Sequence, residues 1–200
     1  MNNKVIALLT NPFENYSAKK LCYLGITAYL LSSILAYYSF HHFQGILRVT
    51  AGANASLSWS FYNNACPIVL LTLAMFVFGR LKNGHIRMLD ILNVVLISRI
   101  IIYGLLTFLV IPFSLEKVLL KVEFSILDDD FMLSSLTVLD WTALLVSGLF
   151  SLLCLTYFFY FFIKGIRFVV HSKSKLDGCW ILVIIFGLEI AFILFGINKN

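Results

Sequence analysis

Residues 88–111 read MLDILNVVLISRIIIYGLLTFLVI. As a helix this stretch would be about 36 Å long at roughly 1.5 Å per residue, enough to cross a hydrocarbon layer of about 30 Å. Asp90 and Arg99 are its only charged residues. No water-facing strand or amphipathic surface helix has this composition. The reading is a membrane-spanning helix with a buried cation.

Four other apolar runs resemble it: residues 21–40, 64–79, 139–163 and 178–197. The run at 64–79 is short and carries Pro67 near one end, so it either spans with a late or kinked start or re-enters the membrane as a hairpin. The chain as a whole agrees. Apolar residue types reach 60%, charged types only 12%, and the mean hydropathy is +0.94. Soluble domains carry about 25% charged residues to wet their surface. The predicted fold class is all-α, a polytopic transmembrane helical bundle of about five spans forming a single membrane domain over residues 1–200.

The net charge of +5 does not point to nucleic acid, because the 15 basic residues are spread over short breaks between apolar runs. Basic residues flanking spans mark the cytoplasmic side. With the amino terminus inside, Lys4, Lys19, Lys20, Arg80, Lys82, Arg87, Lys164, Arg167, Lys173 and Lys175 are cytoplasmic, whereas Arg48, Lys117, Lys121 and Lys199 are outside. An odd number of spans then puts the carboxyl terminus outside. The polar amino terminus lacks a signal-peptide core, so the first span is expected in the mature protein.

Between spans, 41–63 reads as an irregular outer connection. In 112–136, Leu115, Val118, Leu119, Val122 and Ile126 recur at helical spacing, as in a short amphipathic helix on the outer surface, with Ser114 as its cap. The stripe Ala28, Ser32 and Ala36, and the pair Gly187 and Ala191, suit close helix packing. The aromatic run 157–162 reads as an interfacial belt. Asn54-Ala55-Ser56 is a sequon.

Arg99 is the most informative residue. An arginine at this depth costs about 2.5–3.5 kcal/mol even on a lenient insertion scale, so it needs protein or water around it. Glu189, in the last run, poses the same problem. Arg99 lies 11 residues past Met88 and Glu189 lies 11 past Gly178. Both therefore reach roughly 16 Å into the membrane. A direct Arg99–Glu189 pair between the third and fifth helices is expected, with Tyr103 one turn away as a supporting partner. Such a pair either fixes helix register or forms a proton or substrate site. Asp90, in the first turn of its helix, is expected to favour the helix dipole and pair with Arg87; with Asn93 it otherwise contributes to a cytoplasmic binding site.

No chemistry-bearing motif stands out. Cys22, Cys66, Cys154 and Cys179 lack CxxC spacing, the four histidines lack ligand spacing, and 128–130 is an acidic turn without a calcium-loop pattern. Ser147-Gly148 lacks the leading glycine of a nucleophile elbow. No metal, cofactor or catalytic residue is expected.

Three stretches resemble the Yip (Ypt-interacting protein) family, including its bacterial members: Asn11-Pro12-Phe13 before the first span, the glycine-bounded turn Phe78-Gly79-Arg80-Leu81-Lys82-Asn83-Gly84, and Arg87-Met88-Leu89-Asp90-Ile91-Leu92-Asn93 entering the third. The long amino-terminal segment and Asp-Leu-Tyr-Gly-Pro motif of the eukaryotic branch are absent, so that branch's binding of Rab-type GTPases is not carried over. The resemblance implies a five-helix fold and little defined activity. The expectation is a non-enzymatic scaffold or accessory subunit of a bacterial inner membrane. Its basic turns would meet anionic lipid headgroups, a membrane-protein partner or a second copy. A small proton-coupled permease using Arg99 and Glu189 is the alternative.

Overall fold

The computed structural model of the chain describes residues 12–51, 56–110, 136–172 and 176–195, together with 118, 121, 122 and 174. Among them, a one-turn helix α1 (Pro12–Asn15) leads into the long helix α2 (Ala18–Tyr38). A short antiparallel hairpin follows, β1 (His41–Phe43) and β2 (Val49–Ala51). Four more long helices complete it: α3 (Leu57–Lys82), α4 (Met88–Val110), α5 (Val138–Val170) and α6 (Leu176–Phe195). Five of the helices are long and apolar enough to cross a membrane. The protein is a multi-pass integral membrane protein with an all-α bundle.

The segment around Pro67 is one continuous helix from Leu57 to Lys82, with neither the late start nor the re-entrant hairpin considered from sequence. Ser56 caps it by accepting from the Trp59 amide at 3.2 Å. The sequence signal began only at residue 64 because the first turns carry Ser58, Ser60, Asn63 and Asn64. Three of these, Ser60, Asn63 and Asn64, are turned inward and buried. Pro67 is buried mid-helix and lacks the amide that would bond to residue 63.

Helix α4 is the centre of the bundle. Val94, Val95, Arg99 and Leu106 have no exposed surface. Helix α2 packs on it closely enough that a Cβ on Gly25 would stand 2.6 Å from Leu96 Cβ. Ser32 and Ala36 of the small-residue stripe face this interior. Gly187 of the second small-residue pair is exposed and has no neighbour within 4 Å of its Cβ position, so it is not a point of close helix packing; Ala191 is half-buried. The aromatic run 157–162 is also reassigned. Helix α5 continues to Val170, so the run lies inside the helix, with Phe158, Phe161 and Phe162 in the core and Tyr160 exposed. Large apolar side chains such as Leu153, Val183 and Leu194 point outward, as lipid contact requires.

Two ends are distinct. The turn after α3 and the turn after α5 meet: a Cβ on Gly79 would touch Ile86 and Val170, and Lys82 pairs with Asp177 at 2.9 Å. This basic end carries Arg80, Arg87, Lys164 and Arg167. At the other end, Thr137 and Asp140 form a capping box for α5, and Lys121 pairs with Asp140 at 2.7 Å. Of the expected outer amphipathic helix, Val118, Lys121 and Val122 are helical; the rest, with Ser114, lies outside the described residues, as do Lys4, Asn54, Lys173, Lys175 and Lys199.

Candidate functional site

The connection after α2 is not an irregular outer loop. The β1–β2 hairpin turns inward, with Phe43 1% exposed and Ile46 fully buried at its tip. Its strands are in register His41–Ala51 and Phe43–Val49, and the Gln44 amide closes the turn onto the Arg48 carbonyl at 3.1 Å. Non-helical backbone at membrane depth is tolerated only when protein satisfies its amides and carbonyls. Arg99 and Glu189 supply that satisfaction.

Glu189 Oε2 accepts from the Ile46 amide at 2.7 Å and from the Leu47 amide at 3.3 Å. On the other side, Arg99 Nη1 donates to the Ile46 carbonyl at 3.2 Å. The peptide unit joining Ile46 to Leu47 therefore has its oxygen on the cation and its N–H on the anion. Gly45 makes this possible, since a Cβ there would lie 2.6 Å from both carboxylate oxygens. The expected direct ion pair is corrected accordingly. Among the described residues the ion pairs within 4.0 Å are Lys82–Asp177 and Lys121–Asp140, and Arg99 meets Glu189 only through the backbone between them.

Asn64 completes the junction. Its Oδ1 accepts from Arg99 Nη2 at 3.3 Å and from the Tyr103 hydroxyl at 3.0 Å. Its Nδ2 donates to the Ser33 and Ser32 hydroxyls at 2.9 and 3.1 Å. The Arg99 guanidinium also lies 5.5 Å from the Phe43 ring and 5.7 Å from the Tyr103 ring, within cation–π reach. Tyr103 thus supports Arg99 by its ring and by sharing Asn64. One network joins α2, α3, α4, the hairpin and α6. Sequence reasoning missed Asn64, Gly45 and Ile46. Two adjacent asparagines three residues before a proline inside an apolar run were the available signal for Asn64.

The remaining expected residues lie at the basic end. Asn93 is buried and its Nδ2 donates to the Ala18 carbonyl at 3.0 Å, tying α4 to the start of α2. Asp90 makes no ion pair with Arg87 or any other described residue; its side chain faces a cavity of about 220 Å³ that Asn93 also lines. Arg80 Nη1 donates to the Gly84 carbonyl at 2.5 Å, and its guanidinium lies 5.2 Å from the Phe76 ring. Arg87 is exposed, and Lys164 Nζ lies 5.7 Å from the Tyr160 ring. Lys164 and Arg167 line a second, open cleft. No group of three or more metal-ligating side chains occurs among the described residues.

No family model, curated protein or solved structure matches the chain.

Proposed function

We propose that this chain is a non-enzymatic scaffold or accessory subunit in a bacterial inner membrane, a Yip-like protein with its basic end in the cytoplasm. One observation carries the reading. Arg99, the costliest residue to place in a membrane, has no exposed surface, and its guanidinium nitrogens donate to Ile46 and Asn64 within the protein. A transported substrate or proton needs a charge it can reach; a charge used to hold a hairpin and four helices in register serves architecture.

The basic turns then face an anionic leaflet, where each lysine or arginine gains about 1 kcal/mol. Function would come from what the bundle holds, a membrane-protein partner or a second copy, and not from a reaction inside it. Gentle extraction from native membranes, followed by identification of co-purifying chains, tests this. A stoichiometric partner or a defined homo-oligomer is expected. Substrate-dependent stabilisation or flux in reconstituted vesicles, abolished in Glu189→Gln, would replace this reading with transport.

A further inference from the structure

Asp90 and Asn93 stand three residues apart on one face of α4, which puts their Cβ atoms roughly 5–6 Å from each other. Both line the cavity of about 220 Å³ at the basic end. The Asp90 carboxylate, in the first turn of the helix, has no hydrogen bond or ion pair with any described residue. Asn93 is 3% exposed, and its Nδ2 donates to the carbonyl of Ala18, which also lines the cavity. Its Oδ1 is buried and receives no donor among the described residues. A buried acceptor without a donor is costly and calls for an explanation. The rest of the wall is largely aromatic, with Phe13, Tyr16 and Phe168. Phe13 is fixed in place: its ring lies 5.3 Å from that of Phe161, and a Cβ on Gly165 would come within 2.7 Å of it. His171, which lines the cavity too, ends α5 in the left-handed conformation (φ 56°) with its ring 6.5 Å from that of Phe168. Acceptor oxygens beside aromatic rings are the surroundings of an ammonium group, which donates to the oxygens and is attracted to the ring faces.

We propose that this cavity binds a primary ammonium group, which donates to Asp90 and to Asn93 Oδ1 among the rings of Phe13, Tyr16 and Phe168. A quaternary ammonium would keep the attraction to the rings but has no N–H for the two oxygens, so the site distinguishes the two cations. An anion would meet the Asp90 carboxylate. A bare metal ion is poorly served, since no group of three metal-ligating side chains occurs among the described residues. The cavity sits at the first two turns of a spanning helix, where a lipid headgroup and the aqueous phase meet. The ammonium therefore has two sources, the ethanolamine headgroup of a phospholipid or a soluble amine. The site stands independently of the scaffold role, which needs no ligand.

The test is a titration of the full-length protein in phosphatidylcholine nanodiscs, followed by NMR at the side-chain amide of Asn93. Ethylammonium chloride should shift that signal saturably. It should bind about tenfold more tightly than tetramethylammonium chloride, because a hydrogen bond to a charged group is worth roughly that factor. In Asp90→Asn, which keeps the side chain's shape and removes its charge, affinity for ethylammonium should fall about tenfold. Equal binding of the two amines, no shift with either, an equal shift with sodium chloride, or an unchanged affinity in Asp90→Asn would each overturn the proposal. If Asp90→Asn does not fold, the comparison of the two amines on the wild-type protein decides alone. Repeating the titration in phosphatidylethanolamine nanodiscs identifies the source. Loss of the ethylammonium response there means that the lipid headgroup already fills the site, and the same response in both lipids means that the ligand is a soluble amine; either result upholds the ammonium site.

Discussion

Arg99 and Glu189 are joined by one peptide unit: the Ile46 carbonyl accepts from the arginine and the Leu47 amide donates to the glutamate. The Ile46 amide adds a second, shorter bond to the same carboxylate oxygen. A peptide has a fixed direction. The junction is therefore polar in a way that a direct ion pair is not, and this has consequences for mutation.

Exchanging the two charges should not restore the fold. In Arg99→Glu/Glu189→Arg a carboxylate would face a carbonyl and a guanidinium would face two amides. Each single change should cost about 3–5 kcal/mol by stranding a buried charge, and the double change should recover almost none of it. Denaturant titration in detergent micelles reads this. Recovery in the double variant would mean that the two side chains touch directly.

Gly45→Ala places a methyl where the Glu189 carboxylate sits, 2.6 Å from both oxygens. Either the carboxylate or the hairpin must move, at a cost of about 1–3 kcal/mol. Thermal unfolding of the variant should fall, and proteolysis within residues 41–51 should appear. Gly187→Ala, at an exposed position with open space around it, should leave both unchanged.

Asn64 is acceptor to Arg99 and Tyr103 and donor to Ser32 and Ser33. Asn64→Ala removes both functions and leaves a buried guanidinium short of a partner, a loss of about 1–3 kcal/mol. Asn64→Asp keeps the acceptor next to the cation and should be milder than Asn64→Ala. The order of the two melting temperatures is the readout.

Single cysteines at His85 and Ser174, both exposed at the end where Lys82 meets Asp177, should react with a membrane-impermeant maleimide from the same side. A cysteine at exposed Ser56, at the opposite end of α3, should react from the other side. Labelling of His85→Cys and Ser174→Cys from opposite sides would contradict the bundle.

The sequence made the spans legible because lipid demands long apolar runs, and the helices Met88–Val110 and Leu176–Phe195 lie close to where hydropathy places them. It shortened α3, since inward-facing Ser60, Asn63 and Asn64 look like a loop when only polarity is counted. The depth arithmetic set Arg99 and Glu189 at one level. What lay between them was hidden, because their partner is backbone and a peptide has no letter in a sequence. The three-residue strands of the hairpin are too short to show alternation. Gly45 alone hinted at a close approach.

Amide hydrogen exchange at Ile46 and Leu47 reports on the Arg99–peptide–Glu189 junction itself. In the wild-type protein both amides should exchange as slowly as those in the middle of α4, and in Glu189→Ala they should exchange at rates typical of an open loop while α4 stays protected. Fast exchange at both positions in the wild-type protein would contradict the inward hairpin and the bridge it makes between Arg99 and Glu189.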